Sequence, residues 1–200
     1  MLGKFSTDLS DIMAAMQQSL LFSLKILAIL WAIHIFNFFI GYRFNQFGIR
    51  TRSFRGIPGI FFAPVFHGDF NHLFFNSIPL VILSSLILVD GKPLFYQVSL
   101  SIVVLSGLFT LLFGRRGIHI GASGVIMGYF GYLLAKAYFN PSGIAIILAA
   151  LCIYYCGSLI TSVFPGAKKN ISWDGHLFGM ASGILVACFP QMLAITRFIT

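Results

Sequence analysis

Residues 172–183 read Ser-Trp-Asp-Gly-His-Leu-Phe-Gly-Met-Ala-Ser-Gly. On a helix, Gly175, Gly179 and Gly183 fall four apart on one face. Such a stripe lets a second backbone come close where lipid tails supply no hydrophobic drive between helices. His176 directly follows the head of the stripe, at the start of an apolar run where a polar ring is costly and needs a reason. A counterpart lies upstream in residues 119–128, His-Ile-Gly-Ala-Ser-Gly-Val-Ile-Met-Gly. Gly124 and Gly128 repeat the spacing, and Ser123 stands at its head. Two such helices packed face to face would bring a hydroxyl towards an imidazole, the pairing of a nucleophile with its base.

Working outward, the composition says which solvent these helices meet. Apolar residues make up 58% of the 200-residue chain and charged ones 9%, and the mean hydropathy is +0.92. A soluble domain carries roughly a quarter charged residues, so this chain is built for lipid. The net charge of +8 comes from 13 Lys and Arg against five acids. The basic residues cluster at the ends of apolar runs, which reads as contact with anionic headgroups and not as a nucleic-acid surface. Cys152, Cys156 and Cys188 sit within apolar runs without metal-ligand spacing and read as small apolar filler.

Six apolar runs are long enough to span, at about 20–40, 71–89, 94–113, 122–139, 143–164 and 175–195. The expected fold is an all-α membrane protein, a six-transmembrane-helix bundle forming one domain over 1–200. Residues 1–18 are expected to form a short interfacial helix. No small-residue cleavage site follows the first run, so that span reads as an uncleaved insertion signal. Residues 42–68 form a long loop carrying Phe44, Phe47, Phe54, Phe61, Phe62 and Phe66. It is too apolar for water and too interrupted to span, and is expected to lie in the interface against the bundle.

Alternate spans start on the same face of the membrane, so spans two, four and six bring three polar clusters to one depth. The third cluster, His67-Gly-Asp-Phe-Asn-His72-Leu-Phe-Phe-Asn76, enters span two. His72 and Asn76, four apart, share a helix face and can donate to an oxyanion, as can the Ser123 backbone N–H at a helix N-terminus. The chain has no Glu, and Asp8, Asp11, Asp69, Asp90 and Asp174 all lie at or beyond span ends. No buried carboxylate is thus on hand to orient His176, and the expected catalytic unit is a dyad.

The order His67…His72-Leu-x-x-Asn76, Gly121-x-Ser123-Gly124, His176-x-x-Gly179-x-x-x-Gly183 resembles that of the rhomboid intramembrane serine proteases. Any one of these motifs is weak alone; the three together, over spans two to six, are specific. The resemblance implies Ser123 as nucleophile, His176 as general base, and His72, Asn76 and the Ser123 amide as the oxyanion hole. It implies transmembrane protein substrates entering laterally near spans two and five, and a rhomboid-like loop embedded in the outer leaflet. Gly121, Gly124, His67, Gly179 and Gly183 become supporting residues. Met127 stands where the family often has an aromatic that packs on the catalytic imidazole, and the loop has no Trp-Arg pair. The family also implies a multi-pass cell (inner) membrane protein with cytoplasmic termini and an active site opening to the outer face. The charges oppose this, since the loops after spans one, three and five hold eight basic residues and the other side five. The resemblance is followed here, because four of the eight lie in the long interfacial loop.

Blander readings stand beside these. Ser123 could cap span four, and Asp69 and Asp174 are expected to cap spans two and six. His119 and His67 read as structural hydrogen-bonders, and His34 as a mid-span packing residue with its nitrogens satisfied. Ion-coupled transport wants a carboxylate within the bilayer, and none is present. Zinc hydrolysis wants His-Glu-x-x-His, and bis-histidine haem wants facing His pairs at two depths; neither is present, so no metal or cofactor is expected. A catalytically weak or inactive rhomboid-like protein that binds membrane-protein clients is the alternative, although such relatives typically lose the serine or the histidine.

Overall fold

The computed structural model describes residues 2–141, 143–157, 163–164 and 172–196. Its order is α1 (Leu2–Phe39), β1 (Ile49–Arg50), α2 (Gly59–Phe62), α3 (Phe70–Leu88), α4 (Lys92–Phe113), β2 (Ile118–His119), α5 (Ser123–Phe139), α6 (Gly143–Cys156) and α7 (Trp173–Thr196). Among the described residues the fold is all-α apart from the two-residue strands. Ala14–Phe39, Phe70–Leu88 and Lys92–Phe113 are each long and apolar enough to cross a membrane. α5 is 17 residues long and α6 is 14. The part of the expected fifth span beyond 157 lies largely outside the described residues.

The N-terminal segment is helical and runs into the first span without a break, because no Gly or Pro interrupts residues 4–40. α1 packs along α3 through hydroxyls. Trp31 Nε1 donates to Ser77 Oγ at 3.1 Å, and Ser84 Oγ donates to Ser23 Oγ at 2.8 Å. Interhelical bonds of this kind contribute on the order of 0.6 kcal/mol each in lipid, so close packing must supply the rest.

That packing is tightest between α5 and α7, the most extensive helix pair among the described residues. A Cβ on Gly179 would overlap the Gly124 carbonyl oxygen, and one on Gly183 the Gly128 carbonyl oxygen. Gly131, outside the expected stripe, meets the Met180 carbonyl in the same way. The main core closes around this pair with Phe130, Leu73, Leu83, Ile87, Ile102 and Met127, all nearly or fully buried.

The long segment after α1 is folded. It contains short 3-10 turns, β1 and α2, and a small core of Ile49, Ile60 and Ala63 closed by Leu111 of α4. Gly107 of α4 lets it seat, since a Cβ there would lie 2.7 Å from Ile60 Cγ2. Phe47, Phe54, Phe61 and Phe62 remain exposed on its outer side. β1 pairs antiparallel with β2, Ile49 opposite His119 and Arg50 opposite Ile118. The loop is thereby stitched to the chain that leads into Ser123.

Candidate active site

Ser123 is the first residue of α5; Ala122 holds the capping position and no side chain caps the helix. The capping alternative for Ser123 therefore falls. The next residue, Gly124, sits so that a Cβ would lie 3.5 Å from the Gly175 carbonyl oxygen. Gly175 immediately precedes His176, which is 8% exposed. The glycine stripes thus bring the first turns of α5 and α7 into van der Waals contact, with Ser123 and His176 each one residue from the contact.

The chain ahead of Ser123 is held from three sides. Gly121 N–H donates to the Ala63 carbonyl at 2.8 Å, and Ala122 N–H donates to His67 Nε2 at 3.3 Å. Gly121 has φ +115, a conformation a side chain rarely adopts, and a Cβ there would lie 2.6 Å from His72 Cε1 and 2.8 Å from its Nε2. The His72 ring therefore lies against the backbone two residues before the serine.

α3 supplies the rest. Asp69 caps it as expected, accepting from His72 N–H at 2.8 Å, which fixes the turn carrying His72. One turn on, Asn76 is buried, and its Nδ2 has no hydrogen-bond partner among the described residues. A buried amide donor without an acceptor is costly in a finished structure and suits a group that meets its acceptor only during reaction. His67 is fully buried beside His72, with ring centroids 5.2 Å apart. Burial first, then the neighbouring His72 ring, push its pKa down to about 3. It stays neutral, as its acceptance of the Ala122 N–H requires.

Two readings need correction. Asp174 does not cap α7. Its Oδ2 accepts the Arg115 backbone N–H at 2.7 Å, and its Oδ1 accepts the Ser172 hydroxyl at 2.7 Å and faces Arg115 Nε at 3.4 Å. Asp174 lies inside the first turn of α7, and its oxygens are taken by the Arg115 amide from the segment after α4 and by Ser172 two residues upstream. His34 does pack, among the rings of Trp31, Tyr42, His67 and Phe70, but neither ring nitrogen has a partner among the described residues. Met127 is buried in the core.

The Asp174 cluster is what sequence reasoning missed. His119 Nδ1 lies 2.8 Å from Ser172 Oγ, and Nε2 lies 2.9 Å from the Arg115 carbonyl oxygen. The available signal was a pair of clusters each carrying polar residues four positions before Ser123 and His176.

A cleft of about 50 Å³ is lined by Ser123, Gly121, His119, Ser106, Thr110 and Gly175, among others. It has room for a few waters beside hydroxyl groups. Elsewhere, Arg50, Arg52 and Arg116 line a separate open cleft where the long loop meets the segment after α4.

The family model described as the Rhomboid domain matches residues 55–190. An uncharacterized protein of Mycobacterium tuberculosis is 33% identical over 172 residues, which is 82% of this chain and 72% of that protein. An uncharacterized protein of Mycobacterium leprae is 33% identical over 172 residues, 82% of this chain and 68% of its own. A Bacillus subtilis protein provisionally named a rhomboid protease is 29% identical over 123 residues, 60% of this chain and 61% of that one.

Proposed function

This chain belongs to the rhomboid family, and on that footing we propose that it is an intramembrane serine endopeptidase with a Ser123–His176 dyad. Family membership and the apolar helices make it a multi-pass membrane protein. The finer reading is one domain of six spans in the cell (inner) membrane, with cytoplasmic termini and the site open to the outer face. Arg50, Arg52 and Arg116 would then meet outer-leaflet headgroups.

In the proposed reaction the Ser123 hydroxyl passes its proton to His176 as Oγ attacks the peptide carbonyl carbon. Negative charge gathers on the former carbonyl oxygen, where His72, the Asn76 amide and the Ser123 N–H would donate to it. The C–N bond breaks as His176 returns the proton to the leaving amine. Water then enters through the Ser123 cleft, gives a proton to His176 and hydrolyses the acyl-enzyme, restoring the serine. Substrates would be transmembrane segments with weakened helices, because a regular helix shields its own peptide bonds.

The observation that carries this reading is the convergence of three helix starts: Gly124 against the Gly175 carbonyl, and Gly121 against His72. The test is reconstitution with a single-span model substrate, comparing the unaltered chain with Ser123→Ala and His176→Ala. Cleavage by the unaltered chain and loss in both variants is expected. Equal cleavage by all three would refute the dyad. No cleavage, together with no labelling by a fluorophosphonate, would favour the client-binding alternative.

A further inference from the structure

His119 and Ser172 hold equivalent places in the two halves of the site. His119 lies four residues before Ser123, and Ser172 four before His176. Their side chains meet, Nδ1 to Oγ, at 2.8 Å. Ser172 is coupled to the histidine by a helical bond, its carbonyl accepting the His176 N–H at 3.1 Å. His119 is coupled to the serine through a short path pinned at Gly121 by Ala63 and at Ala122 by His67. A tie between these two points therefore sets the separation of the chain segments that present the hydroxyl and the imidazole.

Ser172 has a single hydroxyl proton, and the 2.7 Å contact with Asp174 Oδ1 takes it, because a carboxylate only accepts. Ser172 Oγ is then left to accept from His119 Nδ1. The far side of the ring is held as well, with Nε2 2.9 Å from the Arg115 carbonyl oxygen. Asp174, with a side chain 3% exposed, in turn accepts the Arg115 backbone N–H at 2.7 Å, so the four residues form one connected cluster.

We propose that His119 is a positioning residue for the dyad, latching the approach to Ser123 onto the approach to His176 through Ser172 and Asp174. The proposal rests on the protease reading above. In this reading His119 acts through the segments it joins and not on the reacting atoms, so its loss should slow attack by Ser123 and leave the affinity for reagent nearly unchanged.

The test is the rate at which a fluorophosphonate labels the full chain in vesicles, measured against reagent concentration, with melting temperature recorded for each variant. His119→Gln and Ser172→Ala should lower the saturating labelling rate about tenfold with little change in the half-saturating concentration, while Ser172→Thr, which restores a hydroxyl, should regain the rate. Wild-type labelling rates in His119→Gln and Ser172→Ala would overturn the latch. So would a fall in melting temperature with an unchanged rate, which marks a merely structural tie. If His119→Gln does not fold, the Ser172→Ala and Ser172→Thr pair decides the matter by the same criteria. Failure of the unaltered chain to label, or labelling of Ser123→Ala at the same rate, would instead count against the protease reading.

Discussion

Gly121 lies against the imidazole of His72, so close that a methyl group on its α-carbon would sit 2.6 Å from Cε1. Two helices remote in sequence are registered by this contact, and the ring that meets the backbone is one the proposed chemistry uses. With φ at +115, the position also disfavours any side chain on backbone grounds.

Replacing Gly121 with Ala should therefore cost activity more than stability. The ring can swing aside, relieving the overlap at the expense of its alignment. Cleavage is expected to fall at least about tenfold, with backbone strain on the order of 1–3 kcal/mol appearing as a modest drop in melting temperature. Activity within twofold of the unaltered chain would show that His72 need not lie there.

The α5–α7 seam makes the opposite prediction. At Gly179 and Gly183 an added methyl meets backbone carbonyls of α5, which cannot rotate away. Gly179→Ala and Gly183→Ala should each destabilise by about 1–3 kcal/mol and lose activity with it. Gly157→Ala is the control, since its nearest new neighbour would be Ile153 Cγ2 at an ordinary 3.6 Å. Thermal melting in one detergent compares all three.

Asn76→Ala removes a buried donor that has no acceptor among the described residues at rest. Folding should be little affected or slightly improved, while kcat falls about 100- to 1,000-fold and KM changes little, as for a donor used mainly in the transition state. A proportionate rise in KM with kcat unchanged would place Asn76 in substrate binding instead.

Stability should also report on His67. Its folded pKa is lowered to about 3 from the ordinary 6.5, so below 6.5 the unfolded chain takes up a proton that the folded chain refuses. Stability present at neutral pH is then lost as pH falls from 6.5 towards 3. At pH 5 the loss from this one residue is at most about 2 kcal/mol. The fall in melting temperature between pH 7.5 and pH 5 should be smaller in His67→Gln. An equal fall would show that the burial of this ring is not coupled to proton uptake.

Much of this molecule could be read from its residues in order. The apolar runs, the Asp69 cap and the two glycine stripes are local or periodic signals, and a four-residue spacing on a helix fixes a face before any partner is known. The Asp174 cluster was not legible in that way. A carboxylate in a first helical turn looks like a cap, and only the arrival of the Arg115 amide, from a segment whose meeting with α7 no spacing encodes, gives it other work. His34 was misjudged for the same reason, because whether a buried nitrogen finds a partner depends on which rings close around it.

By itself the sequence determined the solvent, the helices and the faces they would bury, since these follow from hydropathy and period along one strand of chain. The tertiary structure alone decided which backbones touch and which donors are left over. Contact between residues some fifty positions apart is set by how helices and loops close together, and side-chain hydrogen bonds form only after that closure has fixed the distances.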